Sequence, residues 1–177
     1  MSSSGQWPAF EDCLPSDRPL KWALWSTEDR RWLHLASLHY EHTWRQRCSG
    51  DATAAIGQQP CIPHTLHQVW LGGSMPSKFR DLRESWAKLH DGWELRLWGG
   101  GDVEDFGLEN RAAFDAATNY GEKSDIFRYE ILHRHGGIYV DVDFLCLQSL
   151  QVMADNLDFF AGLANVGAVE INNGLIG

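Results

Sequence analysis

The stretch Gly136-Gly137-Ile138-Tyr139-Val140-Asp141-Val142-Asp143 constrains this chain more than any other. Two adjacent glycines stop the helical pattern before them. The residues after them alternate, with Ile138, Val140, Val142 and Phe144 on one side and Tyr139, Asp141 and Asp143 on the other. The pattern predicts a strand over 138–147 whose apolar face needs a packed layer against it. The opposite face carries two carboxylates at i and i+2, roughly 6.6 Å apart in an extended strand. Such a pair repels, and one member keeps its proton unless a cation joins them. Mg2+ and Mn2+ suit that position, since hard ions take one or two carboxylates and complete their shell with phosphate oxygens. By itself one D-x-D among 14 aspartates is what chance supplies, and it reads equally as a solvated strand end.

The rest of the chain supplies the layers. From His64 onward strand and helix signals alternate: a β-prone run to Leu71, then a helix capped by Ser74 with Pro76 in its first turn. Phe79, Leu82, Trp86 and Leu89 make one stripe on that helix. A strand over Trp93 to Trp98 follows, stopped by Gly99-Gly100-Gly101, then helices from Glu109 to about Thr118 and from Ser124 to Arg134. The succession predicts an α/β sheet with ligands outside the carboxyl ends of its strands. Before it, Ser26 and Asp29 read as a cap opening one long helix to Arg47. That helix belongs to a Trp-rich extension, residues 1–60, whose several apolar faces predict packing against the main unit, residues 61–177. The chain stops at Ile176-Gly177 inside a strand pattern, so the unit is expected to be C-terminally incomplete.

Charge narrows the partners. The net charge is -9, which argues against nucleic acid and anionic membrane surfaces, both of which call for a cationic face. After Arg134 there is no Lys or Arg, while Asp141, Asp143, Asp155, Asp158 and Glu170 follow. An anion bound at that end needs a bound cation or a basic side chain from upstream. Cys13, Cys48, Cys61 and Cys146 include no C-x-x-C pair and read as free thiols of a reducing compartment. No leader and no run of 18 apolar residues is present, so the sequence as written reads as cytoplasmic without a membrane span. His34, His39 and His42 lack the carboxylate or thiolate that would complete a metal site and read as solvated or core histidines, and His64 and His67, adjacent to the first strand, are not read as metal ligands.

Upstream of the strand, Asp125 and Arg128 stand at i and i+3, neighbours on one helix face, just after Ser124. Taken alone they are a capped helix with an ion pair. Together, Lys123-Ser124-Asp125-Ile126-Phe127-Arg128-Tyr129-Glu130 and Gly136-Gly137-Ile138-Tyr139-Val140-Asp141-Val142-Asp143 resemble the sugar-binding region with the DXD motif of glycosyltransferase family 32. That family includes fungal α-1,6-mannosyltransferases and inositol-phosphoceramide mannosyltransferases, and the large clostridial glucosylating toxins share a similar pattern. His67-Gln68-Val69-Trp70-Leu71-Gly72-Gly73, the Ser85-Trp86 to Trp93-Glu94-Leu95-Arg96-Leu97-Trp98 stretch and Asn172-Asn173-Gly174 are similar to further segments of the same domain.

The resemblance implies a GT-A-like, Rossmann-like nucleotide-sugar domain. It implies transfer of a hexose, mannose favoured, from GDP-mannose or a UDP-sugar to a glycan or lipid acceptor, with retention of configuration and with Mn2+ or Mg2+. On this reading Trp70 stacks on the base and Ser124, Asp125, Arg128, Gly137, Tyr139, Asp141 and Asn173 line the donor site. Asp143 and Asp141 hold the metal, and Asp141, Asp143 and Arg128 carry the chemistry. Relatives of this kind often lie in the Golgi. Two rivals predict different behaviour: a nucleotide-sugar-binding module without turnover, and a carboxylate-metal phosphohydrolase that has no need of Trp70.

Overall fold

The computed structural model describes residues 8–13, 26–48, 61–165 and 169–177. A 3-10 turn, Phe10–Cys13, precedes helix α1 (Thr27–His39). That helix opens on a capping box: Ser26 Oγ accepts from the Asp29 amide at 3.1 Å, and the Asp29 carboxylate accepts from the Ser26 amide at 3.0 Å. The long helix expected to Arg47 is interrupted by a π turn, Tyr40–Trp44, before the short α2 (Arg45–Cys48). The widened turn is where Tyr40 packs on Phe10 and its hydroxyl donates to Pro8 O at 2.9 Å.

The remaining elements are β1 (Thr65–Trp70), α3 (Ser77–Leu89), β2 (Glu94–Gly99), α4 (Gly100–Phe106), α5 (Arg111–Ala116), α6 (Tyr120–His135), β3 (Ile138–Val140), α7 (Gln151–Asn156), β4 (Ala161–Asn165) and β5 (Val169–Ile176). They form one mixed sheet in the order β2-β1-β3-β5-β4. β1 runs parallel to β2 and β3, and β5 runs antiparallel to β3 and β4. The chain leaves β1 toward β2 on one side and returns as β3 on the other. The carboxyl ends of β1 and β3 therefore flank a topological switch point, the position at which α/β sheets open a ligand crevice.

Apolar alternation along the central strands fills both faces. Leu66, Ile138 and Val140 pack with Trp86 of α3 and Met153 and Ala154 of α7. Val69 and Tyr139 point the other way and pack with Phe106 of α4, Phe114 of α5, and Phe127 and Ile131 of α6. The N-terminal helix reaches the first of these layers through Trp44, whose ring meets Phe160 edge-on with centroids 6.1 Å apart.

Three local expectations are corrected. Ser74 caps nothing: α3 starts at Ser77 behind Pro76, and no side chain caps it. Gly99-Gly100-Gly101 do stop the strand, since β2 ends at Gly99; Gly100 then opens α4, whose entry is fixed by the Gly99 amide donating to Asp102 at 2.6 Å. α6 begins four residues before Ser124, at Tyr120, with Asn119 Oδ1 accepting from the Glu122 amide at 2.9 Å. Asp125 is therefore beyond the first turn, away from the free amide groups of the helix start. Finally, β3 ends at Val140. The Asp141 amide still donates to Gly174 O at 2.8 Å, and the chain then turns, with the Phe144 amide returning to Asp141 O at 3.2 Å. The D-x-D thus occupies a turn at a strand exit rather than one face of a long strand. Gly136 and Gly137, with φ of 63° and 81°, do end α6 as expected.

His67 is a core residue. Its Nε2–H donates to Gly136 O at 3.1 Å and its Nδ1 accepts from the Trp98 indole at 3.2 Å, an arrangement that holds one neutral tautomer. Burial pushes it from 6.5 down to about 4. Between those pH values the unfolded chain binds a proton that the folded chain refuses, so stability falls as pH drops through the window. The contribution is on the order of 3 kcal/mol. Urea unfolding at pH 7 and pH 4.5 should show a lower midpoint at the acid value, and His67→Asn should remove much of the difference. Equal slopes for the two chains would exclude His67 as the source.

Candidate active site

The site is built around one guanidinium. Arg128 lies in the middle of α6, and its side chain is only 5% exposed. A buried cation is costly unless paired, and this one is paired along every edge of its fork. Nη2 meets Asp125 Oδ1 at 2.8 Å and Asp141 Oδ1 at 3.2 Å. Nη1 donates to the backbone oxygen of Asn173 at 2.6 Å and to Asn173 Oδ1 at 3.1 Å, while Nε donates to Ser124 O at 3.3 Å. Arg128 also sits over the Tyr139 ring, 4.4 Å from its centroid.

The partners interlock. Asn173 Nδ2 donates to Asp125 Oδ1 at 3.1 Å, and the Tyr139 hydroxyl donates to Asp141 Oδ1 at 2.8 Å. Three separated stretches, α6, the exit of β3 and the middle of β5, are thereby joined at the carboxyl edge of the sheet. The close approach depends on Gly174, where an added Cβ would lie 2.7 Å from Asp141 Oδ2 and 3.0 Å from Phe144 Cζ. Burial raises the Asp141 carboxyl above the usual range, with Arg128 and the Tyr139 hydroxyl pulling the other way and Asp143 adding a like charge. Burial likewise raises the Tyr139 phenol, so it serves as a donor and not as a base.

The expected site residues are therefore unevenly placed. Asp125, Arg128, Tyr139, Asp141 and Asn173 form one hydrogen-bonded cluster, and Ser124 joins it only through its backbone oxygen. Asp143 stands exposed two residues beyond Asp141. Trp70 ends β1 at the same edge of the sheet, with its indole donating to Gly73 O at 2.8 Å and its ring against Phe79 at 5.2 Å. Gly137 lies at the opposite end of β3, where a Cβ would be 2.7 Å from Thr65 O. Its place is explained by the packing of β3 on β1.

Two carboxylates suit a shared ion better than a caged one. Among the described residues no three His, Cys, Asp or Glu side chains come together as a metal cage. Asp141 Oδ1 is held by Tyr139 and Arg128, while Oδ2 has no hydrogen-bond partner among the described residues. With Asp143 this leaves two oxygen donors, a number that fits a hard divalent ion whose remaining ligands are water and phosphate oxygens. The sequence did not reveal what holds the loop behind these carboxylates: Ser85, Trp86 and His90 of α3 and its C-terminal end. Their signal was present as the Ser85-Trp86 stretch, but spacing alone assigned it no contact.

Residues 76–160 match the family described as "Glycosyltransferase sugar-binding region containing DXD motif". An uncharacterized glycosyltransferase of Acanthamoeba polyphaga mimivirus is 34% identical over 126 residues, covering 66% of this chain and 49% of the relative. Inositol phosphoceramide mannosyltransferase 1 of Schizosaccharomyces pombe is 28% identical, covering 62% of this chain and 36% of the relative. A mannosyl phosphorylinositol ceramide synthase of Saccharomyces cerevisiae is 29% identical, covering 66% and 31%. The chain thus spans about half the length of the first relative and about a third of the other two. No solved structure gives a significant match. The mixed α/β sheet is consistent with a GT-A-like fold, and the relatives are consistent with the resemblance to family 32. Residues 76–160, just under half of this chain, are thus similar to the glycosyltransferase sugar-binding region containing a DXD motif.

Proposed function

We propose that residues 61–177 form a transferase core, with residues 1–60 as an extension before it, and that the core moves a hexose from a nucleotide-diphosphate sugar to an acceptor hydroxyl. Mannose is the favoured sugar, GDP-mannose or a UDP-sugar the donor, and a glycan or lipid the acceptor, with retention of configuration. The relatives named for mannose transfer to inositol phosphoceramide support the sugar and the lipid acceptor. No helix among the described residues is long and apolar enough to cross a membrane.

The observation that carries the reading is the buried Arg128 shared by Asp125, Asp141 and Asn173. It fixes polar groups from three parts of the chain at the switch point of the sheet. Asp125 and Asn173 offer acceptors and donors to sugar hydroxyls, and Arg128 is the basic group nearest the D-x-D in this otherwise acidic end. Tyr139 holds Asp141 Oδ1, which leaves Oδ2 for a hydroxyl or an ion. Mn2+ or Mg2+ would be held by Asp143 and Asp141, and it would supply a positive charge against the negative charge gathering on the diphosphate. Trp70, at the end of β1, is the aromatic surface available for a base.

Nucleotide diphosphate release from a panel of GDP- and UDP-sugars, with and without Mn2+, tests the assignment. Asp143→Ala should lower Mn2+-dependent release by at least about 100-fold. Unchanged release overturns the metal role, and tight nucleotide-sugar binding without release by the parent chain favours the binding module. Gly174→Ala forces Asp141 Oδ2 and Phe144 aside and should weaken turnover by about tenfold or more, a loss of roughly 1.4 kcal/mol. Arg128→Lys retains the charge but not the fork, so urea unfolding should show a loss of about 1–3 kcal/mol. A stability equal to the parent would show that the shared hydrogen bonds contribute nothing.

A further inference from the structure

The D-x-D sits at the start of an irregular segment, residues 141–150, that has no strand or helix of its own. The backbone polar groups of such a segment need partners from elsewhere, and those partners decide its course. Here one helix and the turn after it supply them. The Trp86 indole N–H donates to Phe144 O at 2.9 Å. Ser85 Oγ accepts from the Cys146 amide at 2.9 Å while donating to Leu82 O at 2.5 Å, so its single proton is committed and its lone pair faces the loop. His90 Nε2 accepts from the Leu150 amide at 2.9 Å, and its Nδ1–H donates to Trp86 O at 3.0 Å. A backbone amide can only donate and a carbonyl only accept, so His90 is held as the neutral Nδ1–H tautomer. Beyond the helix, the Trp93 indole donates to Gln151 Oε1 at 2.8 Å, which pins the first residue of α7.

Trp86 and His90 are buried at 4% and 2% exposure, and their rings stack with centroids 5.6 Å apart. The helix–loop seam is thus dry at its centre, where each of these hydrogen bonds is worth more than at the surface. Asp143 is one residue from Phe144, the first point at which the seam grips the chain. Asp141 is tied from the other side by Arg128 and Tyr139. The two carboxylates of the D-x-D are therefore placed by two different devices.

We propose that Ser85, Trp86 and His90 are positioning residues for Asp143: helix α3 sets the path of residues 144–150 and through it the place of the second carboxylate. The inference rests on the reading of Asp143 as a metal ligand, and the experiment separates the two. Ser85→Ala, Ser85→Thr, Trp86→Phe and Asp143→Ala would be compared with Ile131→Ala, a buried change in the opposite core layer that leaves the seam untouched. Mn2+-dependent binding of GDP and of UDP would be titrated by calorimetry, beside amide exchange at Cys146 and Leu150.

Ser85→Ala and Trp86→Phe should each weaken Mn2+-dependent binding about three- to tenfold, the loss of one partly buried hydrogen bond. Both should speed exchange at Cys146, and Ser85→Thr, which keeps the oxygen, should recover binding. Ile131→Ala should stay within about twofold of the parent in binding, whatever stability it loses. If Ser85→Ala and Trp86→Phe bind no worse than Ile131→Ala while Asp143→Ala loses binding, the positioning role is overturned and the metal reading stands. If the parent shows no Mn2+-dependent binding, or Asp143→Ala binds like the parent, the metal reading falls and the proposal falls with it.

Discussion

The constraint on which the rest depends is the desolvation of Arg128. A guanidinium that is 5% exposed must be repaid by fixed partners, and those partners lie on α6, at the exit of β3 and on β5. Once they are in place, β5 has to run antiparallel beside β3 in the register that brings Asn173 to the arginine and Gly174 to Asp141. The order of the sheet near the switch point is therefore coupled to a polar cluster, not only to apolar packing. The apolar layers on its two faces are less particular, since hydrophobic cores tolerate substitution while volume is kept.

Much of the fold was legible because it follows from periodicity. The alternation after Gly137 placed Ile138 and Val140 against Tyr139, and the stripe through Trp86 marked the buried side of α3. What escaped was governed by contacts between distant segments. The strand after Ile138 is apolar enough to continue to Leu147, but it stops at Val140 because the Asp141–Phe144 turn satisfies the backbone instead. Ser124, a good cap residue, reads as the start of α6, whereas the cap comes from Asn119 and the helix opens at Tyr120, four residues before Ser124. Gly100 entered a helix because Asp102 could reach the Gly99 amide.

The site shows the same division. Asp125 and Arg128 were visible as neighbours on one helix face, and Asp141 as part of a motif, but only the resemblance suggested that Asn173 belonged with them. Pattern reading also treated Gly136 and Gly137 as one signal, although each has its own reason. Gly136 closes the helix by donating to Leu132 O at 2.8 Å, and Gly137 lets β3 lie against Thr65. Glu130 was read only as part of a helix. In the structure it is buried and accepts from the Glu109 and Asn110 amides, so it ties α6 to the start of α5.

Asp29, described above as half of a capping box, also accepts from the Val169 amide at 3.2 Å across 140 positions of sequence. At about 5–20 residues per second of synthesis, the first helix waits roughly 7–28 s for the strand that completes its environment. During that interval the Asp29 carboxylate has no Val169 amide beside it, and the start of the helix depends on its local hydrogen bonds. The capping box is thus what the early chain possesses while the late contact is still unmade. A helix that is self-sufficient at its start, and docked only at the end, is suited to a fold whose central strands close over such long separations.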